Sequence, residues 1–95
     1  MFEVYESTKA YRSLKKLPVD VLKRYEKWKD IVRLSGVKGL RKITGFHDEA
    51  VKGQWKGYRS SRLGIQFRVI YSLEKKEVYI EVFDITAHDY RKKHR

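Results

Sequence analysis

The residues of this chain that could do chemistry fall in two groups. Arg62 and Arg68 sit inside stretches of alternating residues, "YRSSRL" and "FRVIY". A planar guanidinium binds phosphate through two parallel hydrogen bonds and stays charged at any cellular pH. The second group, His88-Asp89-Tyr90-Arg91, follows the last alternating stretch. Imidazole titrates near ~6.5, so it can give or take a proton at neutral pH. A phenol titrates near ~10 and serves as a base only when cations shift it. His47 is a further candidate, carried by an irregular segment, while His94 lies in a basic tail and is expected to face solvent. Fixed positive charge beside groups that move protons suits acid–base chemistry at a phosphate.

These residues need elements to position them. Residues 2–5 alternate as a short strand. Ser7 and Thr8 offer an N-cap, and Ala10, Leu14 and Leu17 then recur at helical spacing with Tyr11 beside them. Pro18 ends this helix, because proline disfavours helical geometry in the residue before it. A second helix begins near Val19, with Val21, Tyr25, Trp28 and Val32 in one stripe widened by Leu22, and Gly36 as its stop. The connection between the helices is so short that they are expected to form an antiparallel hairpin. Residues 37–53 are the least regular, anchored by Leu40, Ile43 and Phe46, and their length favours a functional role or a short extra helix. Strands follow at 55–63, 66–73 and 77–85. Gly64-Ile65 and Glu74-Lys75-Lys76 mark tight turns, which imply an antiparallel meander. The expected fold is α+β, one domain over residues 1–95. The N-terminal strand and helical hairpin cover one face of a mostly antiparallel sheet, and the other face is open.

Side chains alternate faces along a strand. Phe67, Val69 and Tyr71 take the core side, which sends Arg68 and Ile70 to the other. Leu63 reads as core and places Tyr58, Ser60 and Arg62 opposite. Val78, Ile80 and Val82 read as core, with Tyr79, Glu81 and Phe83 opposite. The open face then carries Arg62, Arg68 and aromatic rings, which suit the phosphates and bases of single-stranded nucleic acid. The plainer alternative is that Arg68 pairs with Glu81 across strands.

The whole chain carries a formal charge of +11 over 95 residues, with a pI near 10.0. So basic a domain seeks a polyanion. Cysteine is absent, which excludes disulfides, thiolate zinc sites and a cysteine nucleophile. Asp48-Glu49 is too thin a cluster for a metal, and no glycine-rich phosphate loop occurs. The acidic, short N-terminal stretch is no signal peptide, and no apolar run approaches a membrane span. These features lead to the expectation of a cytoplasmic protein without metal or cofactor and without a membrane partner.

"LRKITGFHDEAVKGQWKGYRSSRLGIQFRVIY", followed by "HDYRK", resembles the RelE/HigB branch of the RelE/ParE superfamily of bacterial type II toxins. The match rests on "KGQWKGYRSSRL", then "FRVIY", then "HDY", and the order strand–helix–helix–strands agrees over the whole chain. The resemblance implies a ribosome-dependent endoribonuclease that cuts mRNA in the A site. Its implied partners are a cognate antitoxin, mRNA and the ribosome with its 16S rRNA. It places the family's catalytic arginine on Arg68 and basic residues of the preceding strand on Arg62 or Arg59. The C-terminal tyrosine or histidine falls in His88-Asp89-Tyr90. Ser60 and Ser61 stand where some relatives carry further basic groups.

RNA can be cut without a metal when the 2′-OH attacks the adjacent phosphate. The reaction needs a proton acceptor, a proton donor and positive charge on the transition state. Arg68 and Arg62 suit the charge role; His88 and Tyr90, with His47 as an additional candidate, suit proton transfer, and the assignment of acid and base stays open. Lys52, Lys56, Arg59, Arg91, Lys92 and Lys93 are the expected RNA- and ribosome-contacting cations. Two alternatives remain open: a ParE-like gyrase inhibitor without nuclease activity, and a non-catalytic RNA-binding module.

Overall fold

A computed structural model describes residues 2–53, 56–74 and 79–87, except for the side chains of Tyr79, Glu81 and Phe83. The candidates His88, Tyr90, Arg91, Lys92 and Lys93, and the expected core residue Val78, lie outside the described residues. Strand β1 is Glu3–Glu6, and Ser7 caps helix α1 (Thr8–Leu14) by accepting from the Ala10 N–H at 3.0 Å. Tighter turns carry the chain from Leu14 to Pro18, with Lys15, Lys16 and Leu17 each bonding the carbonyl three residues back. Ala10 is buried, whereas Tyr11 turns outward.

Helix α2 (Val19–Arg41) buries Val21, Tyr25, Trp28 and Val32 along the stripe its spacing predicts. Trp28 stacks on Tyr25 at 5.8 Å and meets Tyr71 edge-on at 5.1 Å, so the two aromatic geometries lock helix to sheet. Gly36 interrupts the helix at the expected position, but a second helical stretch follows it. The backbone breaks there (φ 68°, ψ −167°) and resumes helical geometry to Arg41. The Phe2 ring packs against the break, with its Cζ 2.8 Å from where a Cβ would stand on residue 36. The break turns Val37 and Leu40 into the core. The segment expected to be irregular therefore holds the end of α2, a 3-10 turn (Thr44–Phe46) and a two-residue strand β2 (Glu49–Ala50). Buried Phe46 anchors it beneath the Arg24 guanidinium, 4.3 Å from the ring centroid.

Strands β3 (Tyr58–Arg62), β4 (Arg68–Glu74) and β5 (Tyr79–Thr86) complete a sheet of order β1-β5-β4-β3-β2. β1 runs parallel to β5 and the other neighbours are antiparallel. Strand β3 starts at Tyr58, after a turn at Lys56 and Gly57; the expected start at 55 lies outside the described residues. Strand β4 starts at Arg68 rather than 66. The Leu63 N–H bonds the Phe67 carbonyl at 2.8 Å, so the loop takes in Gln66 as well as Gly64 and Ile65. Arg68 thus opens its strand instead of lying in the middle of it.

The core lies between α2 and the sheet, where Leu63, Val69, Tyr71, Ile80, Val82 and Ile85 face inward. Strict alternation would have made residue 84 core and 85 exposed. A register shift changes this: Tyr71 pairs with Val82 but Ile70 with Asp84. Ile85 is thereby buried, and Asp84 meets α1, accepting from Ser13 Oγ at 2.9 Å with Lys9 Nζ at 3.5 Å. The face away from the helices is not wholly open. Ile70 is buried there with Val51, beside partly buried Tyr58. No helix among the described residues is long and apolar enough to cross a membrane.

Candidate active site

The register of β3 on β4 sets Arg62 directly opposite Arg68. Like charges at such a position repel. Arg62 is exposed, and no carboxylate lies within ion-pair distance of it among the described residues. Arg68 is held. Its Nε and Nη2 donate to Ser60 Oγ at 3.1 and 3.0 Å, and Nη2 also donates to Glu49 Oε2 at 3.0 Å. Ser60 is fully buried, while 19% of the Arg68 side chain and 45% of the Glu49 side chain remain exposed. Glu49 pairs with Ser60 across β2 and β3, and Arg68, diagonal to Ser60 on β4, reaches both. The Arg68 guanidinium is therefore oriented before any ligand arrives. Its Nη1 hydrogens meet no acceptor among the described residues. Together with Arg62 this makes a site for a dianionic or bridging oxyanion, with one carboxylate at its edge able to accept a proton.

Arg59 is placed differently from the sequence expectation. It lies on the face of β3 shared with Ser61, not with Arg62. Its Nε and Nη2 donate to Asp48 Oδ2 at 3.0 and 2.6 Å. Asp48 Oδ1 accepts from Ser61 Oγ at 2.7 Å and from the Tyr71 hydroxyl, and Ser61 in turn accepts from Trp28 Nε1 at 3.0 Å. The Asp48 side chain has no solvent exposure. Burial alone would lower the Arg59 guanidinium, but the hydrogen bond and charge of Asp48 outweigh it and hold it above its usual value. Burial, then the charge and hydrogen bond of Asp48, push the Tyr71 hydroxyl far above its ordinary value, so Tyr71 is no proton acceptor.

His47 adopts a left-handed conformation (φ 46°) at the end of the 3-10 turn. It borders a cleft of ≈ 220 Å³ with Leu40, Arg41, Ile43, Thr44 and Asp48, and neither Arg62 nor Arg68 lines that cleft. Lys52 and Lys56 are exposed on the connection between β2 and β3. The register sets Thr86 of β5 beside Arg68, and His88 and Tyr90 follow Thr86 by two and four positions in the chain. Sequence reasoning missed Glu49. Its signal was the pair Asp48-Glu49 read as alternating, with one carboxylate for each face of a strand.

No protein-family model matches the chain, and no curated protein does. Solved structures do. The archaeal RelE–RelB complex from Pyrococcus horikoshii aligns with TM-score 0.69 at 24% identity, over 90% of this chain and 92% of that one. The YoeB–YefM toxin–antitoxin complex from Staphylococcus aureus aligns at 0.71 and 16%, over 93% and 98%. The YoeB/ParE toxin from Agrobacterium tumefaciens aligns at 0.68 and 13%, over 92% and 99%. All three align over nearly the whole of both chains: the chain has the α+β fold of the RelE/ParE toxins.

Proposed function

We propose that this chain is the toxin of a type II toxin–antitoxin pair and cuts mRNA on the ribosome without a metal. The observation that carries the reading is the Arg62–Arg68 pair, set opposite in register with Glu49 held against Arg68. The scissile phosphate sits on the Nη1 edge of Arg68 and on Arg62. The adjacent 2′-oxygen forms a bond to phosphorus as its proton leaves for a base, for which Glu49 is the nearest candidate. The bond from phosphorus to the 5′-oxygen breaks, and that oxygen takes a proton from an acid, for which His88 and Tyr90 remain the candidates. The products are a 2′,3′-cyclic phosphate and a 5′-hydroxyl. The arginines stabilise charge that grows in the transition state, which is where preorganised donors contribute most.

The similar structures are complexes of toxins with antitoxins, which supports a cognate antitoxin as partner here. Its toxin-binding part is acidic or amphipathic, to match the charge of +11. The test is induction of the chain in growing cells, with mapping of mRNA ends. In-frame cuts confined to translated messages are expected, and co-expression of the neighbouring antitoxin gene abolishes them. Intact messages with gyrase-dependent DNA breaks would replace this reading by gyrase inhibition.

A further inference from the structure

We infer that Asp48 is a positioning residue: buried and bound by Arg59, Ser61 and Tyr71, it sets the place of the Glu49 carboxylate beside Arg68. The inference rests on the nuclease reading for its consequence, but its structural content stands apart from it. Glu49 belongs to an edge strand of two residues, paired to Ser60 with Ala50 paired to Arg59, and the Val51 N–H beyond it bonds the Tyr58 carbonyl at 2.9 Å. So short a ladder at a sheet edge is marginal by itself. The Glu49 side chain is 45% exposed and held by the Arg68 ion pair, while buried Val51, packed on Ile70, anchors the far end of the segment. The residue before Glu49 is the opposite case. The Asp48 side chain has no exposure and accepts from two nitrogens of one guanidinium and from two hydroxyls.

Consecutive residues of a strand face opposite sides. Asp48 immediately precedes β2, and with its carboxylate pinned to Arg59, Ser61 and Tyr71 the chain enters the strand with Glu49 on the face that carries Arg68. The donors come from three elements: Arg59 and Ser61 on β3, Tyr71 on β4, and Trp28 of α2 through Ser61. The peptide carrying Glu49 is thereby referenced to the same β3–β4 pair that carries Arg62 and Arg68. A displacement of about 1 Å at a reacting group can lower a rate 10²-fold. Arg59 then serves the site from behind the sheet and makes no phosphate contact.

The test is Asp48→Asn in the full chain, measured on programmed ribosomes. The side chain keeps its size, and the Ser61 and Tyr71 hydroxyls can rotate to accept from the amide. The expected result is a folded protein whose cleavage kcat falls at least about 10-fold, with KM and ribosome affinity within about 2-fold. In a Glu49→Gln background the same substitution is expected to change the single-turnover rate by less than about 2-fold, because both act through one group. Effects that instead multiply would overturn the inference. Tyr71→Phe, which keeps the ring, is run through the same cycle and answers if Asp48→Asn does not fold. A readout independent of activity is the Glu49 carboxyl carbon resonance. It is expected to move in Asp48→Asn to the position it takes in Arg68→Ala. A wild-type chain that cuts no RNA would defeat the nuclease reading alone; an unmoved Glu49 resonance in a folded Asp48→Asn protein would defeat the positioning role.

Discussion

Gly36→Ala separates the backbone break in α2 from ordinary helix propensity. At φ 68° and ψ −167° residue 36 occupies a region open almost only to glycine. Forcing another residue there costs about 1–3 kcal/mol. A Cβ would also meet three Phe2 ring carbons at 2.8, 3.1 and 3.2 Å. The ring is partly buried, and driving it out forfeits about 1 kcal/mol more. The sum is about 2–4 kcal/mol, or about 8–30 °C in Tm for a domain of this size. Urea and thermal unfolding of the purified chain measure it. Gly53→Ala is the internal control: φ is 74° but nothing lies within 4 Å, so only the backbone part is expected. Phe2→Ala added to Gly36→Ala should recover the ring part, giving a coupling of about 1 kcal/mol between the two sites. A Gly36→Ala protein within about 0.5 kcal/mol of wild type would show that the break is not required, and the account of how Val37 and Leu40 reach the core would fail.

Arg68→Ala should keep the fold and lower ribosomal cleavage by about 10² to 10³ while binding changes little; Arg68→Lys should restore only part of the rate. Normal cleavage by folded Arg68→Ala would remove Arg68 from the site. Asp48→Ala should destabilise by about 3–5 kcal/mol in urea, because it strands a largely buried guanidinium; a loss below about 1 kcal/mol would show that Arg59 rehydrates freely. Tyr25 and Tyr71 are raised far above their ordinary value, mainly by burial and then by Glu6 and Asp48 respectively. The folded state therefore keeps these protons to higher pH than the unfolded state. Stability is full below about pH 10 and falls above it by about 1.4 kcal/mol per pH unit for each tyrosine. Absorbance at 295 nm beside circular dichroism checks this, and ionisation of both tyrosines with the fold intact would contradict it. Ribosome affinity should fall steeply with salt through counterion release, and a flat response would argue against a phosphate-tracking surface.

Local physics was enough for several features of this chain. The stripe Val21, Tyr25, Trp28, Val32 is a helical period, and it is buried as one. Ser7 is an N-cap by type and position, and it caps. The alternation around "FRVIY" puts Val69 and Tyr71 inside and Arg68 outside, because a strand has only two faces. The fold class follows from the order of these periodic stretches. What local pattern could not reveal depends on partners distant in the chain. Gly36 reads as a helix stop, but nothing near it in sequence says that Phe2, thirty-four positions earlier, fills the space of its missing side chain or that helix resumes beyond it. The shift at Asp84 comes from pairing with β4, not from the sequence of β5. The opposition of Arg62 and Arg68 depends on a loop longer by one residue than its turn signal. Asp48 and Glu49 form an unremarkable acidic pair until β2 docks on β3, which buries one carboxylate beside Arg59 and Tyr71 and delivers the other to Arg68. Periodicity is written in neighbours along the chain, whereas register, bulges and buried ion pairs are contacts across it, and only folding brings those together.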